Sequence, residues 1–189
     1  MPALRRTAGT LAVAGQYLYI YRQVNTVGPA RAFAMINEVY NRRIIELAAS
    51  IPRIGRLAAP DATAKAVSRL CGSTVTVDLK MDGDRVTDFA HEVKACALGQ
   101  ASSSIMAHHV VGSNADELRA LRETVRKMLK ENGEPPRDGK WADIAVLEPV
   151  RDYKARHAST LLTFDAVVDA IGQIETRRSA KDTAKTAAE

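Results

Sequence analysis

Thr74-Val75-Thr76-Val77-Asp78-Leu79-Lys80-Met81-Asp82-Gly83 is the stretch on which the fold turns. Val75, Val77, Leu79 and Met81 alternate with Thr74, Thr76, Asp78 and Lys80, the period of two that a strand with one buried face requires. Asp82-Gly83 supplies the residues of a tight hairpin turn. The return strand carries Val86, then Phe89, His91, Val93 and Ala95 in the opposite phase, which predicts a bulge near Thr87-Asp88. A weaker strand pattern from Ala64 to Leu70 precedes the hairpin and predicts a small three-stranded antiparallel sheet.

Outward from the sheet the period becomes helical. Ile36, Val39, Tyr40, Ile44, Leu47 and Ala48 share one face of an entry helix, which Ser50-Ile51-Pro52 ends. Turn formers at Ile54-Gly55-Arg56 and Ala59-Pro60-Asp61 make the connection to the sheet a loop. Helices are predicted at Ala97–Val111 and Ala115–Glu131, with a short piece around Trp141 to Leu147 and a last helix at Ala158–Ile174. In the second of these Asn114 and Glu117 stand as a capping-box variant, with Gly133 as the stop.

The chain of 189 residues has 27 Lys+Arg against 22 Asp+Glu, but the surplus is unevenly placed. Arg5, Arg6, Arg22 and Arg31 are the only charges before Glu38, whereas residues 35–174 balance nineteen basic against nineteen acidic side chains. A neutral body argues against a nucleic-acid partner, which needs a basic face for its phosphates. Residues 1–34 form an acid-free extension, readable as an upstream mis-start, an organelle transit segment or a secretory signal. Its uncharged run, Thr7 to Tyr21, is too short to span a bilayer comfortably, so no membrane partner is expected. Two cysteines favour a reducing, cytoplasmic setting, or an organelle matrix if the leader is a transit segment. The domain is expected over 35–175, and 176–189, without large apolar side chains, reads as a disordered tail.

Chemistry centres on the cysteines. Cys71 lies before the clear strand and Cys96 after its return partner, so a hairpin brings them to the same edge of the sheet. Cys96 also opens a helix, where free N–H groups and the dipole favour thiolate, which makes it the better nucleophile of the two. His108-His109 at a helix end, His91 on the apolar strand face and the charged face of Arg119, Arg122 and Arg126 with Glu117 and Glu123 read as structural or solvated groups. No phosphate loop, zincin helix or nucleophile elbow is present.

Cys71-Gly72-Ser73-Thr74-Val75-Thr76-Val77 and Lys94-Ala95-Cys96-Ala97-Leu98-Gly99-Gln100-Ala101-Ser102-Ser103-Ser104 resemble the two cysteine boxes of the U-type iron-sulfur cluster assembly scaffolds. The resemblance runs from the helix at Asn37 to the one ending near Ile174 and includes the order of elements. It implies an α+β fold, a small three-stranded antiparallel sheet packed against helices. It also implies a non-enzymatic role: holding iron or a transient 2Fe-2S cluster and passing it to client or carrier proteins, with a cysteine desulfurase as sulfur source.

Two departures stand out. Ser73 occupies the position where the family usually has an acid, and no cysteine precedes the last helix, where the family has its third. His157 in Ala155-Arg156-His157-Ala158-Ser159 matches either the histidine before that cysteine or, one residue shifted, the cysteine itself. The resemblance therefore implies Cys71, Cys96 and His157 as ligands, with Ser73, a small thiol or a second subunit of a homo-oligomer as the fourth. The same three residues would suffice for zinc in a sulfur-transfer relay. A further alternative is a non-catalytic adaptor that binds the desulfurase. Leu147-Glu148-Pro149-Val150-Arg151 loosely resembles the proline motif that chaperones recognise in some scaffolds.

Overall fold

The computed structural model describes residues 41–186, so the leader lies outside the described residues. Its first element is helix α1, Arg42–Ala49, capped by Asn41, whose Oδ1 accepts from the Ile44 amide at 3.0 Å. The sheet follows: β1 (Ala62–Val67), β2 (Thr74–Asp82) and β3 (Arg85–Lys94), antiparallel in the order β1-β2-β3. Then come α2 (Ala97–His109), α3 (Ala115–Lys130), a 3-10 segment (Ala142–Asp152) and α4 (Lys154–Thr186).

The alternation in β2 sets the layers. Val75, Val77, Leu79 and Met81 pair across β3 with Val93, His91, Phe89 and Val86, and three of them pair across β1 with Ala66, Ala64 and Leu79's partner Ala62. This apolar face is covered by α4, which lies along β1 and β2, while α2 packs between α1 and α4 and α3 packs on α4. Phe89, Phe164, Leu79, Leu98 and Ile105 are the large side chains at the centre. The expected bulge is present: Lys80 pairs with Asp88 and Met81 with Val86, leaving Thr87 as the extra residue. Gly83, at φ +56, allows the turn.

Both ends of β3's outer edge are guarded. The Gly55 amide donates to His91 and the His91 amide to Arg53, a short parallel bridge, and at the other end Gly112 and Ser113 bond Val86 and the Ala115 amide donates to Asp84. The loop before β1 is anchored by Asp78, fully buried on the outward-facing side of β2. Its carboxylate accepts from Arg56 at 2.6 and 2.9 Å, from Thr63 at 2.6 Å and from the Leu57 amide at 3.0 Å. Burial opposes ionisation of Asp78, but these donors outweigh it and hold the carboxyl below its ordinary value.

Several boundaries differ from the sequence reading. β1 begins at Ala62, two residues early, because Asp61 accepts from the Met81 amide at 2.8 Å and starts the ladder there. α4 begins at Lys154 and continues to Thr186, through most of the segment read as a tail. Arg177 donates to the carbonyl of Asp61 at 2.7 Å and Arg178 to those of Met81 and Gly83, so the helix end grips the hairpin turn. The charged face of α3 is also less solvated than expected, since Arg119 pairs with Glu175 and Arg122 with Asp165 on α4. Among the described residues no helix is long and apolar enough to cross a membrane.

Candidate functional site

Thr74 pairs with Val67 on one side and Lys94 on the other, so the β1–β2 connection and the end of β3 leave the sheet together. Cys71 sits in that connection and Cys96 two residues beyond Lys94. The first turns of α4 close over the same end. Neither cysteine is in a disulfide.

Residues 68–73 form a short closed loop. The Ser68 amide donates to the Ser73 carbonyl at 2.8 Å, the Gly72 amide donates to the Ser68 carbonyl at 2.9 Å, and Gly72 takes φ +69. The loop folds Cys71 back on itself: its Sγ lies 3.3 Å from Ser68 Oγ and 3.1 Å from Ser73 Oγ. As a thiol Cys71 donates its one proton to these hydroxyls, and as a thiolate it would accept from both. Burial pushes the Cys71 thiol up, but the Ser68 and Ser73 hydroxyls, the Ser73 amide and the Arg156 charge outweigh it and leave the thiol below its ordinary value.

Cys96 is the N-cap of α2, with extended backbone at φ −65 and ψ 169, and is 3% exposed. Its Sγ lies 3.5 Å from Ser159 Oγ on α4. Ser159 donates its own proton to the Arg156 carbonyl at 2.9 Å and therefore meets Cys96 as an acceptor. The close approach of α2 and α4 here depends on Gly99, whose missing Cβ would stand 2.9 Å from the Ser159 carbonyl oxygen.

His157 is used differently from the expectation. Its Nε2 lies 3.1 Å from the Val150 carbonyl and 2.9 Å from the Arg151 carbonyl. Carbonyls only accept, so Nε2 carries the proton and ties α4 to the 3-10 segment. Residues two apart on a helix are separated by roughly 200°, so with Ser159 facing Cys96, His157 is turned elsewhere. Among the described residues no group of three or more His, Cys, Asp or Glu side chains is placed to hold a metal ion. The three-ligand set of Cys71, Cys96 and His157 is thus not assembled in this arrangement.

The model of the NifU-like N terminal domain matches residues 39–160. The chain belongs to the NifU-like N-terminal domain family. A crystal structure of the N-terminal part of a nitrogen-fixing NifU-like protein from Brucella abortus is 66% identical, spans 75% of this chain and 98% of that one, and superposes with a TM-score of 0.73. The iron-sulfur cluster assembly scaffold protein IscU of Thermotoga maritima is 26% identical over 136 residues, 72% of this chain and 94% of its own. The zinc-dependent sulfurtransferase SufU of Bacillus subtilis is 26% identical over 106 residues, 56% of this chain and 71% of its own.

Within this NifU-like domain the two cysteine boxes and their placement at one sheet end were readable from sequence. Ser68, Arg156 and Ser159 were not. Ser159 is fully buried, but nothing in the sequence set it apart from His157, Thr160 and Thr163, polar neighbours that are buried as well. His91, read as a core histidine, is fully buried, and His108 and His109 occupy the last turn of α2.

Proposed function

We propose that this NifU-like domain is an iron-sulfur cluster assembly scaffold or carrier, which takes iron and sulfide as cargo on Cys71 and Cys96 and releases them to client proteins. It acts as a carrier rather than as an enzyme, with a cysteine desulfurase as the upstream partner. The observation that carries this reading is the placement of two cysteines at one end of the sheet, Cys71 half-buried and Cys96 buried. Thiolates are the soft ligands that iron-sulfur clusters require. Two thiols fall short of the four ligands of a self-contained two-iron cluster, and Ser73, a small thiol or a second copy would complete the set. A cargo held by few strong ligands at a surface is one that can leave.

The likeness to a zinc-dependent sulfurtransferase supports a second reading, a sulfur relay. Three zinc ligands are not brought together here, so no step is assigned to zinc.

Metal and acid-labile sulfide analysis of anaerobically purified protein, before and after supply of iron and inorganic sulfide, tests the proposal. Iron and sulfide in near-equal amounts are expected in the wild type and lost in Cys71→Ala and Cys96→Ala. His157→Ala is expected to keep both while unfolding more easily, since it gives up the bonds to Val150 and Arg151. Wild-type protein that takes up neither after reconstitution would refute the scaffold and leave a desulfurase-binding adaptor.

A further inference from the structure

The outer edge of β3 is closed by residues 53–55 and 112–115, whereas the opposite edge of the sheet, β1, is bare along most of its length. The register fixes which of its backbone groups face outward. In an antiparallel ladder successive residues direct both backbone groups first to one side and then to the other. His91 directs its amide and carbonyl to the 53–55 strap, so Val77 opposite it directs its own to Ala64 of β1. The Ser68 amide on the Ser73 carbonyl, at 2.8 Å, falls in the same phase. Thr63, Lys65 and Val67 therefore turn their amides and carbonyls away from the sheet, and among the described residues nothing bonds to them. Just before the strand the Asp61 carbonyl accepts from Arg177 at 2.7 Å, so the edge is covered at its start and uncovered beyond.

The side chains of the same three residues are all exposed, Val67 at 53%. A row of outward donors and acceptors under exposed side chains is a template for one more strand. Charge selects that strand. Lys65 stands in the middle of the row and Arg69 two residues beyond it, and among the described residues no ion pair takes up either charge. Arg56, which reaches the Thr63 hydroxyl, is by contrast held by Asp78 and Glu92. A second copy added antiparallel in full register would set Lys65 against Lys65, and like charges directly opposite are destabilising. The leader carries four arginines and no acid before Glu38, so the same cation repels it. What fits is a strand from another protein with a carboxylate opposite Lys65.

We propose that β1 is a docking edge for an extended, acid-bearing segment of a partner protein, which adds antiparallel to it as a fourth strand. The segment's acidic side chain lies opposite Lys65. Two residues before the acid a β-branched side chain packs on Val67, and two residues after it a small polar one meets Thr63. Affinity comes from the main-chain bonds to Thr63, Lys65 and Val67, and specificity from the pair with Lys65. Because β1 runs directly into the 68–73 loop, a strand bound here holds its owner beside the cysteine end of the sheet. The docking edge needs no cargo on the cysteines, so it stands or falls separately from the scaffold reading.

A synthetic peptide with valine two places before a central glutamate and threonine two places after it, offered to the full-length chain, tests this by amide hydrogen exchange and fluorescence anisotropy. Exchange is expected to slow at the amides of Thr63, Lys65 and Val67 and to change little at Ala64 and Ala66, which are already bonded within the sheet. Lysine in place of the peptide's glutamate, or Lys65→Glu against the original peptide, is expected to weaken binding roughly fivefold, the size of one cross-strand charge pair. Lys65→Glu with the lysine peptide is expected to restore it, which a misfolded variant could not do. Methylating the peptide nitrogens that face β1 is expected to abolish binding. A peptide that leaves the three amides unchanged at about 1 mM, or that slows exchange around Cys71 instead, would overturn the proposal. So would equal binding of the glutamate and lysine peptides. Slowing of the same three amides as the chain alone is concentrated would also overturn it, by making a second copy the occupant.

Discussion

Gly99→Val is expected to destabilise the fold by about 2–3 kcal/mol and to empty the site of iron and sulfide. A Cβ at this position would lie 2.8 Å from the Cβ of Ala95 and 2.9 Å from the carbonyl oxygen of Ser159. Neither neighbour is the end of a flexible side chain, so relief has to come from moving α2 against α4. Replacing glycine within a helix ordinarily gains up to about 1 kcal/mol, less for a β-branched residue, and the overlap outweighs that gain. The movement parts Ser159 from Cys96, so the loss of stability and the loss of cargo should appear together. Urea unfolding midpoints and sulfide analysis on the same preparation check this; a variant of wild-type stability that still loads normally would show that the close approach is dispensable.

Acid should loosen the domain well before its carboxylates titrate. His91 is fully buried on β3, in edge contact with Phe89 at 4.9 Å, with its Nε2 3.0 Å from the Pro52 carbonyl. Burial lowers its pKa from 6.5 to about 4, and the bond to Pro52 opposes this only in part. Between those values the unfolded chain binds a proton that the folded chain refuses, so stability falls as pH drops through 6.5 and the loss is complete near 4. The gap corresponds to roughly 3 kcal/mol. Asp78 is held below 3.8, so its contribution is lost only at lower pH and the two effects separate. Unfolding midpoints at pH 7, 5.5 and 4.5 should fall steadily in the wild type. They should fall less in His91→Gln, whose amide can still donate to Pro52 but does not titrate; equal slopes would assign the acid sensitivity elsewhere.

The sequence was most legible where structure is local. Alternation along β2 announced its buried face, and the phase change at Val86 and Phe89 announced the bulge that the register places at Thr87. Asn114 capped its helix as its spacing promised, with the Glu117 amide 2.8 Å from its side chain. The ends of α4 were illegible because both depend on distant partners. Its last turns lack large apolar side chains, and what holds them is Arg177 and Arg178 reaching carbonyls near residues 61 and 81–83. The site divides in the same way. Cys71 and Cys96 could be placed together from hairpin topology alone, whereas the choice among Arg156, His157 and Ser159 depends on the rotation of α4 about its axis. That rotation is set by Gly99 and the packing beneath it, not by the order of residues in the segment.

The grip of Arg178 on the hairpin turn makes α4 a strut pinned at both ends. From Ser159 to Arg178 is about 28 Å of helix, and β2 from Thr74 to Asp82 is about 27 Å of strand, so the two rods are matched in length. Removing one residue between the pins would turn one end by about 100° relative to the other and draw it in by about 1.5 Å, and the two pins could not both be kept. Such a rod does not slide to open or shut a site. Whatever gives way when cargo enters or leaves is therefore the short loop that carries Cys71.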